Sequence, residues 1–190
     1  MRNVKKTTNN KWVNLYNVVE PEKGVTGFEF AERKGKDSVA FMLYNKSSSK
    51  FILNKEYLPP VGRFLVRAFG GSLDKNVEKT EIVKNEVLEE AGYNVSDNNI
   101  IEVGRSFVSS MMNQYCYLYF VLVEDSQFVG REPENDIEAL AEVIELDQDE
   151  IAKLDDWKSI TILSKIGMLV KERKKVEKIM KSFEANYDRK

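Results

Sequence analysis

Glu86, Glu89 and Glu90 stand within five residues of one another near the middle of the chain, on a stretch whose pattern is helical. From about Lys79 no Pro or Gly interrupts before Gly92, which is expected to stop the helix in a left-handed conformation. Val83, Val87 and Ala91 recur at four-residue intervals and predict a core-facing stripe. Glu86 and Glu90 share a second stripe, and Glu89 lies three residues from Glu86. Three carboxylates on one side of a helix repel one another unless water or a cation screens them. Hard divalent cations such as Mg²⁺ take oxygen ligands and keep waters and substrate phosphates, which suits this cluster. The pair Gly70-Gly71 is expected to turn sharply and bring the Gly70 carbonyl beside the same ion. A solvated acidic face on an amphipathic helix explains the spacing equally well.

Composition narrows the alternatives. Histidine is absent from all 190 residues, which removes Ser-His and Cys-His nucleophile pairs, histidine-ligated zinc and imidazole acid-base chemistry. Carboxylates with a metal are the means left to an enzyme. The net charge of -2, with 32% charged residues, lacks the basic excess of a nucleic-acid binder. No apolar run approaches the roughly 20 residues of a membrane helix, and Met1 to Lys6 lacks a signal-peptide core, so neither membrane nor nucleic acid is an expected partner. A cytoplasmic location is the expectation. Cys116, the single cysteine, is read as a buried thiol.

Positioning the carboxylates requires a sheet. Residues 1–10 read as a frayed polar tail. Lys11 to Val19 and Thr26 to Arg33 alternate apolar and polar around a turn at Pro21 to Gly24, a hairpin pattern. Apolar runs at Val39–Tyr44 and Phe51–Tyr57 predict strands, and one further strand, Phe64–Phe69, leads to the glycine pair. Strands follow at Ile100–Val108, Tyr115–Val123 and Ala141–Leu146, the last after a charged loop from Glu124 to Glu138. Helices are expected at Asp149–Leu154 and from Ile160 to about Phe183. The lysine-rich part of the latter, Lys171 to Lys181, reads as a solvated face, with an acidic partner as the alternative.

The stretch from Gly71 to Tyr93 resembles the Nudix box: Gly, five residues, Glu, seven residues, Arg-Glu-apolar, one residue, Glu-Glu, one residue, Gly, apolar. Gly71, Glu86, Val87, Glu89, Glu90, Gly92 and Tyr93 fall in register. Val77 stands where the first Glu belongs, with Glu78 one place late, and Asn85 replaces the Arg that in the family orients a box glutamate. The resemblance implies an α/β fold, the Nudix α/β/α sandwich with a mixed sheet, preceded by an N-terminal β-hairpin. The division expected is 1–36 for tail and hairpin and 37–190 for the Nudix domain.

Beyond the box the chain is similar to the ADP-ribose and nucleoside-diphosphate-sugar pyrophosphatase branch. Trp12, the Pro21–Gly24 turn, Phe28-Glu29 and Arg33 match its N-terminal pattern, and Glu56-Tyr57-Leu58-Pro59-Pro60 matches its Gln-aromatic-Arg-Pro-Pro segment. The branch exchanges its hairpin between the subunits of a homodimer and sandwiches adenine between aromatic rings, which implies stacking roles for Trp12 and Phe28; packing of both rings on the domain is the other reading. Glu29 would accept from the adenine amino group, and Arg33 would meet a phosphate. Leu58 occupies an arginine position of the branch, leaving Arg63 and Arg67 nearby to substitute.

The implied reaction is Mg²⁺- or Mn²⁺-dependent hydrolysis of a nucleoside-diphosphate-linked small molecule to a nucleoside monophosphate and a sugar phosphate, with AMP and ribose 5-phosphate as the products from ADP-ribose. Glu86, Glu89, Glu90 and the Gly70 carbonyl would hold the metal. Glu138 would be the base that accepts the water's proton, with Glu134 and Asp136 as alternatives. Val77 and Asn85 imply slow turnover. A silent Nudix-fold module that binds a nucleotide or a protein is the alternative function.

Overall fold

Strands buried on both faces read as continuous apolar runs, and half-buried ones alternate. Both kinds occur in the computed structural model, which describes residues 1–73, 76–133 and 136–187, with side chains described for all of these but Asp136, Ile137, Glu172 and 175–187. The strands are β1 (Asn3–Lys6), β2 (Val13–Glu20), β3 (Val25–Arg33), β4 (Ser38–Asn45), β5 (Lys50–Leu58), β6 (Arg63–Arg67), β7 (Phe69–Ser72), β8 (Ile100–Ser109), β9 (Met112–Val123) and β10 (Glu142–Leu146). The helices are α1 (Lys79–Glu86), continued by a π-helical turn at Val87–Ala91, α2 (Asp136–Ala139), α3 (Gln148–Ile151) and α4 (Trp157–Tyr187).

All of these strands join one mixed sheet in the order β1-β2-β3-β9-β4-β5-β10, with β6 on β5, β7 on β4 and β8 on β9. At its centre β4 runs parallel to β9 from Ser38↔Cys116 to Asn45↔Val123 and antiparallel to β5 and β7. Alternation along β4 feeds two cores. Val39, Phe41 and Leu43 pack with Val83, Val87 and Ala91 of the glutamate helix, while Ala40 and Met42 pack with Ile162 of α4. The result is an α/β/α sandwich with the mixed sheet in the middle, as expected. Cys116 is fully buried in the second core.

Four local expectations are corrected. The N-terminal residues are not all frayed: Asn3–Lys6 pairs with Tyr16–Val19 as β1. The single strand at Phe64–Phe69 is two strands, β6 and β7. At Ala68, between them, the backbone N–H donates to Ser159 Oγ at 2.9 Å and to Asp156 Oδ2 at 3.2 Å. Those bonds pin the start of α4 against the sheet, and they replace a strand partner at that residue. The glycine pair makes no turn: Gly70 and Gly71 lie inside β7, opposite Ala40 and Val39. Finally, the glutamate helix is not regular throughout, because its last five residues, Val87–Ala91, widen into a π turn.

The predicted hairpin is present as β2 and β3, turned by Pro21–Lys23 and closed by Gly24 at φ 72°. It reaches the rest of the sheet through a bridge between Ala31 and Met112 on β9. Among the described residues no helix is long and apolar enough to cross a membrane.

Candidate active site

Each glycine of β7 leaves room that a neighbouring group fills. A Cβ on Gly71 would overlap the Glu86 carboxylate, and one on Gly70 would come within 2.8 Å of the Val39 carbonyl oxygen. Glu86 therefore lies flat against β7. One turn later Glu90 accepts a bond from the Gly70 N–H at 3.4 Å. Two glutamates of the helix thus rest on two adjacent glycines of the strand.

Gly92 ends the helix as expected, at φ 80°. It has a second reason to be glycine, because a Cβ there would meet the Gly130 carbonyl carbon at 2.8 Å and Arg131 N at 3.0 Å. The loop after β9 is seated on the end of the glutamate helix in this way. It leads to α2, which carries Glu138, the predicted base. Glu138 is helical, whereas a loop position was expected. Of the alternatives, Glu134 lies outside the described residues, and so does the side chain of Asp136.

Between the helix and β7 is a cavity of about 320 Å³. Its walls include Gly70, Gly71 and Ser72 of β7, together with Glu81, Glu86, Glu89, Glu90 and Glu138. Val77 and Asn85, the two positions that depart from the box, line it too. Among the described residues no basic side chain lines this cavity. Glu90 is 8% exposed. Its burial, reinforced by the neighbouring Glu86 charge, pushes its pKa up to about 8, with Glu56 and Glu138 adding to the effect and the Gly70 N–H opposing it.

An all-oxygen donor set of this kind fits a hard divalent cation in chemical type, and a cation would offset both leading causes of the Glu90 shift. As placed, however, no group of three carboxylates among the described residues converges closely enough to hold one metal ion. A bound ion would have to draw the side chains of Glu86, Glu89 and Glu90 together.

The hairpin residues distribute differently. Trp12 and Arg33 line a second cavity, about 280 Å³, with Lys34, Ser72 and Met112. Ser72 belongs to both this cavity and the acidic one, and its hydroxyl is bonded to the Arg33 guanidinium. The ammonium groups of Lys11 and Lys34 sit 4.7 and 5.4 Å from the Trp12 ring centre. Phe28 is not brought to Trp12 within this chain: it lines a separate hollow of about 190 Å³ that also includes Met112. Glu29 is exposed on β3 opposite Asn17 and lines neither hollow.

Arg67 does not reach the acidic cavity. Its Nη1 donates to Glu56 Oε1 at 2.6 Å, and it lines a different pocket with Leu58, Trp157 and Lys158. Arg63 lies 3.7 Å from Asp155. The residues missed by sequence reasoning are Lys34, whose one available signal was its place directly after Arg33, and Arg131, for which the sequence carries none.

In sequence, no family model and no curated protein matches the chain. In three dimensions it is similar to a solved ADP compounds hydrolase, with a TM-score of 0.68 over 90% of this chain and 93% of that one, at 14% identity. At that identity the likeness shows the fold, and the mixed α/β sandwich is shared along nearly the whole length of both chains.

Proposed function

We propose that the chain is a divalent-metal-dependent hydrolase of the Nudix type that cleaves the pyrophosphate of a nucleoside-diphosphate-linked small molecule, giving a nucleoside monophosphate and a sugar phosphate. The observation that carries this reading is the meeting, at Ser72, of two unlike cavities: one walled by glutamates, the other by Trp12, Arg33 and Lys34. An elongated substrate with a flat base at one end and a charged bridge further along matches that sequence of surfaces. The fold shared with an ADP compounds hydrolase supports it.

Glu86, Glu89 and Glu90, with the Gly70 carbonyl, would hold Mg²⁺ or Mn²⁺, which when bound lowers the pKa of a water and offsets phosphate charge. Glu138, on the same cavity, accepts the proton of the attacking water. Arg33 and Lys34 neutralise the phosphate nearer the base, and Trp12 offers its face to the purine. A base stacking on that ring would take the place of the Lys11 and Lys34 ammonium groups now over it. The second ring, Phe28 of the partner subunit, completes the sandwich if the hairpin is exchanged in a homodimer. A cytoplasmic location accords with a nucleotide substrate.

The test is release of phosphomonoester from ADP-ribose, nucleotide sugars, NADH and dinucleoside polyphosphates, with Mg²⁺ or Mn²⁺, read after phosphatase treatment. Turnover that requires the metal and vanishes in Glu90→Gln is the expected result. A rate unchanged by that substitution overturns the proposal. Two observations favour a second reading, a silent nucleotide-binding module: the described carboxylates do not converge as placed, and Val77 and Asn85 stand in the cavity wall. That module would show a nucleotide-induced rise in melting temperature without product.

A further inference from the structure

The segment between β9 and α2 is tied to the end of the glutamate helix through residues 129–132. Val129 N and Gly130 N donate to the Gly92 carbonyl at 2.8 and 3.3 Å, and Glu132 N donates to the Glu89 carbonyl at 3.2 Å. From within this tethered stretch the side chain of Arg131 reaches into and past α2. Nη2 donates to the Glu138 carbonyl at 3.0 Å and Nη1 to the Ala141 carbonyl at 2.8 Å. One guanidinium thus spans the turn that carries Glu138 out of α2 and into β10. Among the described residues its Nε, which is buried, has no hydrogen-bond partner. What the side chain contributes here is its fork, a cationic donor pair that holds two carbonyls at once.

We infer that Arg131 is a positioning residue for the proposed hydrolysis: it fixes the Glu138 backbone relative to the turn bearing Glu89 and Glu90, and so sets the separation between the base and the metal-holding carboxylates. The inference rests on the hydrolase reading for its catalytic consequence, while the mechanical coupling stands apart from it. A lysine would keep the charge, but its single nitrogen cannot reproduce a planar fork bonded to two carbonyls three residues apart.

The experiment compares Arg131→Lys with the unaltered protein, with Arg131→Ala as a second variant. Hydrogen exchange is measured in segments 129–142 and 86–92, and kcat, KM and the kcat–pH profile are measured on the best substrate of the phosphomonoester screen. Expected for Arg131→Lys is faster exchange in both segments, a kcat lowered about tenfold to a hundredfold, as for loss of a group that orients a metal-site ligand, a KM within about threefold, and an altered kcat–pH profile. Wild-type exchange in 86–92 would overturn the coupling whatever the reaction. Altered exchange with an unchanged kcat and pH profile per folded molecule would overturn the positioning role alone. If the unaltered protein hydrolyses nothing, the functional reading fails, and the exchange result still decides the coupling.

Discussion

The Glu86 carboxylate occupies the space where a side chain on Gly71 would project. The overlap is with the far end of a flexible side chain, so an added methyl group can be accommodated by moving Glu86 and leaving the strand in place. Gly71→Ala is therefore expected to lower stability by no more than about 1–3 kcal/mol. Metal-dependent turnover is expected to fall at least about tenfold, because the displaced carboxylate leaves the cavity wall. Denaturant unfolding and a Mg²⁺ titration of activity on the same sample separate the two effects; a large loss of stability with normal turnover per folded molecule would contradict the placement of Glu86 at the metal.

Glu90 gives a prediction for the metal-free protein. Its pKa is raised from 4.5 to about 8 by burial and by Glu86. A carboxyl that holds its proton more tightly when folded favours the native state fully below its unfolded pKa, and that contribution is lost as pH rises through the folded value. Stability should accordingly fall between about pH 4.5 and pH 8. Glu90→Gln should flatten this slope and make the protein more stable than the parent above pH 8 by roughly 1–4 kcal/mol, with little difference near pH 4.5. Mg²⁺ should restore the parent at high pH and leave the Gln variant unmoved. Parallel slopes for the two proteins in urea unfolding from pH 4.5 to 9 would show that Glu90 is not the group responsible.

Much of this arrangement was legible in the chain because it is written in short-range patterns. Period-two alternation marks β2 and β3, four-residue spacing marks Val83, Val87 and Ala91, and Gly92 marks the helix end. What was hidden depends on distant partners. Nothing local signals the break at Ala68, whose N–H is taken by Asp156 and Ser159, roughly 90 residues on. The π turn at Val87–Ala91 has no residue signature, since the same side chains suit a regular helix. Gly70 and Gly71 were read for backbone freedom, whereas what they supply is room for Val39 O and Glu86. Arg67 drew notice by its place in the sequence, but the Glu56 carboxylate holds it away from the acidic cavity.

Trp12 and Phe28 line different hollows within one protomer, which makes the aromatic sandwich a question about two chains. Base stacking on an aromatic ring contributes roughly 1–3 kcal/mol, so Trp12→Ala and Phe28→Ala should each raise KM for an adenosine substrate about fivefold to a hundredfold. If each site takes Trp12 from one subunit and Phe28 from the other, unfolding and refolding the two variants together yields mixed dimers with one intact site. Recovery of low-KM activity in the refolded mixture is the expected outcome. No recovery in mixtures shown by native mass spectrometry to contain mixed dimers would place both rings, if they act at all, in one subunit.

Val77 and Asn85 both line the acidic cavity, so the departures from the box alter the walls of the proposed metal site. Asn85 is exposed one residue before Glu86, and Val77 is 49% exposed, so larger polar side chains enter without disturbing the core. Asn85→Arg brings a cation to a wall that has no basic side chain among the described residues, and its field favours the ionised form of Glu90. Val77→Glu adds an oxygen ligand or a partner for a metal-bound water. Together they should lower the Mg²⁺ concentration for half-maximal activity and raise kcat, each about tenfold, the usual scale of such supporting contacts. Titrating activity against Mg²⁺ at pH 7 checks this, because the parent still holds Glu90 largely protonated there without metal, with its pKa at about 8. Equal metal requirements for the parent and the double variant would mean that the cavity's glutamates do not hold the ion on which turnover depends.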